Sequence, residues 1–189
     1  MVHRNSLGKA ESDAIRRVLL APLPGECKGD FTLAVKPMRI ALYQPDIPQN
    51  TGTILRLCAC LGIEAHIIQP AGFPTSDRAF RRAGMDYLDA VALMRHTSWE
   101  AFEAWRREQG HRLVLFTTGA TLSYLDYRYE AGDVLLFGRE SAGVPAEVHE
   151  AADARLLIPM RPGLRSLNVA VAAAMAAGEA LRQIGNMKP

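Results

Sequence analysis

Three short stretches of the chain carry residue types that can bind or polarise a ligand. The first is Gln44-Pro45-Asp46-Ile47-Pro48-Gln49-Asn50-Thr51-Gly52, continued by Thr53-Ile54-Leu55-Arg56. Its two prolines stiffen a loop, and Asn50 is a residue type that caps the start of a helix. Beyond it Ile54, Leu57, Cys58 and Leu61 recur at i, i+3, i+4 and i+7, the stripe of a helix that buries one face. At about 100° per residue Arg56 falls on the opposite face, one turn after Gly52. Helical side chains lean toward the N-terminus, so this guanidinium extends over the bare glycine toward the loop. There, near the positive end of a helix, it suits a phosphate or another anion. An arginine that only solvates a surface helix has the same geometry.

The second stretch, Leu135-Leu136-Phe137-Gly138-Arg139-Glu140-Ser141-Ala142-Gly143-Val144-Pro145, reads as a strand entering a glycine-containing turn. Gly138 and Gly143 have the spacing of a phosphate loop, yet Val144 and Pro145 stand where Lys and Ser/Thr are required. That excludes a Walker-type site, and no GxGxxG follows a strand to suggest a dinucleotide. A tight connection in which glycine only supplies backbone freedom fits equally. The third stretch is Ile158-Pro159-Met160-Arg161-Pro162-Gly163-Leu164-Arg165-Ser166-Leu167-Asn168, a strand, a shaped loop and a helix start with Ser166 as N-cap. The helix beyond, from Val169 to Ala177, is small and apolar on nearly every face. Such a helix is buried all round, by its own domain or by another copy of it. Close backbone packing around a flat ligand would use small residues, and so would an ordinary core helix.

The elements that must position these stretches alternate. Apolar runs that favour strand occur at Ile40–Tyr43, His66–Ile68, Leu113–Thr117, Val134–Phe137 and Leu156–Ile158. Helical patterns fall at Thr51–Leu61, Ser76–Ala83, Ser98–Glu108, Ala146–Ala151 and Leu167–Ile184. Near-continuous apolar strands separated by helices imply an α/β domain, a mostly parallel sheet with helices on both faces. In open sheets of this kind ligands sit beyond the carboxyl ends of the strands. The segments to inspect are therefore Gln44–Gly52, Thr118–Thr121, Gly138–Pro145 and Pro159–Ser166. Residues 1–37 differ: they are turn-rich, with no sustained period, and read as a flexible N-terminal extension before a working domain at 38–189. Met38, directly before the first strand, is a second candidate for the initiating residue.

Bulk properties narrow the class. The 189 residues suit one domain, and 49% hydrophobic with 22% charged residues is ordinary for a globular protein. A formal charge of +2 is too small to imply a nucleic-acid partner by itself. Arg78, Arg81 and Arg82 form one basic group, and Arg106, Arg107 and Arg112 another. Such groups can follow a phosphate backbone, or can simply be solvated faces. Three cysteines (Cys27, Cys58, Cys60) without paired spacing argue against a disulfide scaffold or zinc site, and the five histidines are scattered, so no metal is expected. No run approaches the roughly 18 apolar residues of a membrane span. The stretch Ile15–Ala21 is broken by Arg16 and Arg17, unlike a secretory signal, and the expected location is cytoplasmic.

Taken in order, the three stretches resemble the SPOUT superfamily of RNA methyltransferases. The closest likeness is to the branch that 2′-O-methylates the wobble nucleotide of tRNA-Leu, a cytidine or a 5-carboxymethylaminomethyluridine. The likeness rests on Leu42 to Gly52 with Arg56-Leu57-Cys58-Ala59, on Arg81-Arg82-Ala83-Gly84-Met85-Asp86-Tyr87, on Phe137-Gly138-Arg139-Glu140-Ser141 and on Ile158-Pro159-Met160. It spans about residues 38 to 185. The resemblance implies a trefoil knot in the C-terminal half, a homodimer, S-adenosylmethionine as cofactor and the tRNA anticodon loop as partner. It implies that Phe116, Gly138, Ile158 and Ser166 hold the methyl donor, largely through backbone groups, with Thr117, Glu140, Met160 and Leu167 beside them. Asn50 and Arg56 match the catalytic pair of that family. This chain departs from related sequences at Ala170-Val171, where Ser-Asn is common, and at Gly178, where Tyr is common. A ribose methylation elsewhere in tRNA or rRNA, and a non-catalytic RNA-binding dimer, are the alternatives.

Overall fold

The computed structural model describes residues 38–82 and 88–185. The extension expected over residues 1–37 lies outside them, as does the Arg81–Tyr87 motif apart from the helical backbone of Arg81 and Arg82. The described elements are β1 (Arg39–Tyr43), α1 (Pro48–Leu61), β2 (Glu64–Ile68), α2 (Asp77–Arg82), β3 (Leu93–His96) and α3 (Trp99–Gln109). After them come β4 (Leu113–Phe116), β5 (Leu122–Ser123), β6 (Val134–Phe137), α4 (Ala146–Ala151), β7 (Ala154–Leu157) and α5 (Val169–Ile184). The strands form one seven-stranded sheet in the order β3-β2-β1-β6-β4-β7-β5. Every pairing is parallel.

Strand β1 shows why both faces are covered. Ile40 and Leu42 point into one core with Ile54, Leu55 and Cys58 of α1 and with Ala173, Ala176, Ala177 and Ala180 of α5. Ala41 and Tyr43 point into the other, with Trp99 and Phe102 of α3 and Val148 of α4. Alternate residues face opposite layers, and both layers are apolar, so the strand reads as a continuous hydrophobic run. Among the described residues no helix is long and apolar enough to cross a membrane.

The chain steps outward from β1 through β2 to β3, then returns to build β4 to β7 on the far side of β1. Where outward and returning halves meet, β1 lies against β6 with Leu42 opposite Phe137, and Phe137 lies opposite Phe116 of β4. The carboxyl ends of these central strands therefore finish level. The loops leaving them share one edge of the sheet, the place where open α/β sheets hold ligands.

Several expectations need correction. Helix α1 starts at Pro48, with Ile47 as a cap that makes no side-chain bond, so Asn50 lies inside the first turn and is not the N-cap. Proline at the first helical position costs no hydrogen bond and sets the right φ. Its buried residues are Thr51, Ile54, Leu55 and Cys58, whereas Leu61 is 41% exposed at the helix end. The cap of α5 is Asn168, whose Oδ1 accepts from the N–H groups of Ala170 and Val171, and not Ser166. Its own chain does not bury α5 all round: Val171 is 49% and Met175 38% exposed. Strands β3 and β5 escape an apolar-run criterion, because β3 is an edge strand with exposed Met94 and Arg95 and β5 has only two residues. The second arginine group is no basic patch. Buried Arg106 is paired with Glu103 and Asp153, Arg107 with Glu103, and Arg112 with Asp133 and Glu130.

Candidate active site

Four of the loops that leave the carboxyl edge enclose a cavity of about 510 Å³. Each of the segments Gln44–Gly52, Thr118–Thr121, Gly138–Pro145 and Pro159–Ser166 contributes to its lining. A cavity of this size is in the range that takes a ligand of cofactor dimensions. Its floor is apolar, formed by the end residues of the strands. The rings of Phe116 and Phe137 stack there at 4.9 Å between centroids, beside Leu156 and Ile158. Its rim is polar, with Asn50, Thr117, Thr118, Glu140 and Ser166.

The turn after β6 shapes one wall. Arg139 and Gly143 exchange backbone hydrogen bonds, Arg139 N–H donating to Gly143 at 2.9 Å and Gly143 N–H to Arg139 at 2.8 Å. The backbone approaches so closely that a Cβ on Gly138 would stand 2.7 Å from the carbonyl carbon of Gly143. Only glycine fits there, and Gly143 itself has φ of 67°. The glycine spacing seen in the sequence thus makes a tight turn whose backbone faces the cavity, not a phosphate loop of Walker type.

Polar side chains tie the loops together across long stretches of sequence. Asn50 Nδ2 donates to Glu140 Oε1 at 3.0 Å, and Asn50 Oδ1 accepts from Asn168 Nδ2 at 2.9 Å. Both ends of the Asn50 amide are therefore assigned a partner, which fixes its orientation. Glu140 also accepts the backbone N–H of Asp46 at 2.9 Å. Asp46 in turn receives Arg139 and Ser141. These bonds, led by that from Arg139 and followed by that from Ser141, hold the Asp46 carboxyl below its usual range. Each loop is braced by the next.

The structure brings most of the expected residues together. Phe116, Thr117, Gly138, Glu140, Ile158, Met160, Ser166 and Leu167 all line the cavity, and Asn50 stands on its rim. Arg56 does not line it: the side chain is exposed on the outer face of α1. The sequence reading overlooked Asp46, Arg139, Arg165 and Asn168, of which the last three also line the cavity. The preference of Asn for helix caps was the available signal for Asn168. Nothing local marks Asp46, whose partners are more than 90 positions away. Cys58 is excluded as a nucleophile, since burial pushes its thiol up to about 12.

The lining suits S-adenosylmethionine. A flat apolar floor can take an adenine ring, and a backbone-walled turn can bond its edge without a bulky side chain intruding. The stacked Phe116–Phe137 floor beside the backbone-walled turn is the observation that carries the fit, and the glycine-only approach at 138 keeps that turn tight.

Comparison with known proteins agrees with this geometry. The model of the SpoU rRNA Methylase family matches residues 37–178. A protein of Beijerinckia indica subsp. indica named tRNA (cytidine(34)-2′-O)-methyltransferase is 69% identical over 146 residues, covering 77% of this chain and 91% of its own. A solved structure described as "Structural insights into the 2-OH methylation of C/U34 on tRNA" superposes with a TM-score of 0.72 at 43% identity, covering 78% of this chain and 96% of the other. An AdoMet-bound rRNA methyltransferase from Sinorhizobium meliloti superposes with a TM-score of 0.70 at 30% identity, covering 78% of this chain and 57% of the other. The expected α/β fold is thus the fold of known RNA methyltransferases, and the chain belongs to the SpoU rRNA Methylase family.

Proposed function

We propose that this protein transfers the methyl group of S-adenosylmethionine to the 2′-oxygen of nucleotide 34 in the anticodon loop of tRNA. The observation that carries the proposal is the convergence of four separate loops on one cavity whose wall admits glycine alone at position 138. The names of the similar proteins supply the acceptor. S-Adenosylmethionine, when bound, supplies a methyl group already activated as a sulfonium. Alignment of the acceptor and removal of one proton are then what the chain must contribute.

Phe116, Gly138, Ile158 and Ser166 hold the donor in this reading, with Thr117, Glu140, Met160 and Leu167 beside them. Asn50, oriented by Glu140 and Asn168, presents a fixed amide at the rim. Arg56 carries the ribose end: its guanidinium holds a phosphate and stabilises the developing alkoxide. A guanidinium keeps its proton in a protein and does not act as the base, so a phosphate oxygen or water accepts the proton.

The working unit in this reading is a homodimer. Val171 and Met175 on α5 are exposed apolar residues, as is Ile47 before α1, which lines the cavity. A second copy covering them would bring its own Arg56 toward the cavity that this chain's Arg56 does not line. The C-terminal half is knotted in the same reading. The knot rests on family membership alone; α5 itself is tied in at both ends, Asn168 at its start being bonded to Asn50. Gln183 near its end is bonded to Tyr127 and Tyr129 of the long β5–β6 loop. The working domain occupies residues 38–189, the location is cytoplasmic, and tRNA-Leu bearing cytidine or 5-carboxymethylaminomethyluridine is the acceptor.

The test is incubation of purified protein with labelled methyl donor and total tRNA, followed by mapping of the methylated nucleotides across isoacceptors. Label on ribose 34 is the expected result. Label on a base, on protein or on no RNA at all rejects the proposal, and label on another tRNA or rRNA ribose replaces its acceptor.

A further inference from the structure

Asp46 sits between two turns far from it in sequence. On one side its Oδ1 accepts from Nε and Nη2 of Arg139 at 3.2 and 2.9 Å. Its Oδ2 accepts from the backbone N–H of Ser141 at 3.3 Å and from the Ser141 hydroxyl. Its own N–H donates to Glu140 at 2.9 Å. On the other side lies Gly72, whose N–H donates to Pro45 at 2.9 Å. A Cβ on Gly72 would stand 3.2 Å from the Asp46 Cα, so the two backbones pack closely there. Three consecutive residues of the turn after β6 are thus gripped by one residue of the loop after β1.

We infer that Asp46 and Arg139 form a clamp that holds the 138–143 turn in its donor-binding shape. Both act as positioning residues for donor affinity, Asp46 from outside the cavity and Arg139 from its lining through the bond to Asp46. The inference rests on the reading of this cavity as the donor site. An exposed ion pair adds little to folding, and Arg139 is 40% exposed. Its value here is geometric. A guanidinium bonded through two nitrogens, together with two Ser141 donors, fixes one carboxylate in one orientation. The turn's backbone groups are then in place before the ligand arrives, and the cost of ordering them does not count against binding. Arg139 is also neutralised by Asp46, which leaves it poorly suited to attract a phosphate of its own.

The experiment compares wild type, Asp46→Asn, Arg139→Ala and the double variant, with thermal scans to verify folding. Donor affinity is measured by titration calorimetry, and KM and kcat by methyl transfer to tRNA. Each single variant is expected to weaken donor binding about tenfold, and the double variant by about the same, because the two share one interaction. Donor KM rises in step, while kcat at saturating donor and KM for tRNA stay within about twofold, since only turn preorganisation is lost. Asp46→Asn keeps the guanidinium, so loss in Arg139→Ala alone would mean that Arg139 touches a ligand, and the clamp would be wrong. Unchanged affinity in both singles, or effects that multiply in the double, also overturn it. A wild-type protein without donor affinity overturns the site reading and the clamp together, whereas normal wild-type affinity with unaffected variants removes the clamp alone.

Discussion

At the scale of single residues the proposed function separates groups that shape the cavity from one group that would act on the acceptor. Gly138, the stacked Phe116 and Phe137 and the braced Asn50 shape the cavity without titrating. Arg56, exposed on α1, is a permanently charged donor, and the proposed function assigns it transition-state stabilisation. Replacing Arg56 with Ala is therefore expected to lower kcat by at least about 100-fold, the scale seen when a single oxyanion donor is removed. The donor dissociation constant, measured by calorimetry on the same protein, is expected to stay within about twofold because Arg56 is not part of the lining. Transfer at the wild-type rate by that variant would defeat the assigned role.

At the scale of elements the informative junction is the start of α5. Asn168 both caps the helix and holds the Asn50 amide, so one side chain joins the third loop to the first. Asn168→Ala should lower unfolding free energy by about 1 kcal/mol, the usual loss for a cap. It should also slow methyl transfer, as Asn50 loses the partner that orients its oxygen. Asn168→Ser separates the two effects: serine still caps, yet its side chain is too short to keep the bond to Asn50. Denaturant unfolding of that variant should match wild type while its kcat follows the alanine variant. If both variants kept wild-type kcat, the link to Asn50 would have no functional weight.

At the scale of the whole molecule two features lie outside any one loop. The exposed apolar face of α5 has the character of a surface awaiting a partner, with Val171 and Met175 one turn apart. Val171→Asp is expected to shift the protein from dimer to monomer in sedimentation velocity and to abolish transfer, while donor affinity persists. A monomeric wild type would remove the dimer reading. The second feature is the buried His66–His96 contact, 2.9 Å between Nδ1 and Nε2, packed under Phe102 and Trp105. Burial first, and His66 second, push His96 from 6.5 down to about 4. Between those values the unfolded chain binds a proton that the folded chain refuses, so stability falls as pH drops through that window. The slope can reach about 1.4 kcal/mol per pH unit. Urea midpoints at pH 7 and pH 5 should diverge less in His96→Asn than in wild type, and equal divergence would place the loss elsewhere.

What the sequence determined by itself was whatever depends on local period and residue type. Apolar runs such as Val134–Phe137, lying between helical patterns, sufficed for an α/β sheet covered on both faces. Glycine, proline and polar residues after those runs sufficed to point to the carboxyl edge, where the cavity lies. Motif likeness then supplied eight expected donor-binding residues, and all eight line one cavity. Only tertiary structure decided which loops meet. Asp46 grips Arg139 and Ser141 more than 90 positions away, and Asn168 reaches Asn50 across 118. It also decided that Arg106 is buried in ion pairs and that Arg56 stands outside its own chain's cavity. Such pairings depend on strand order and on how the chain returns across β1. Those follow from the packing of two whole layers, and no window of neighbouring residues contains them.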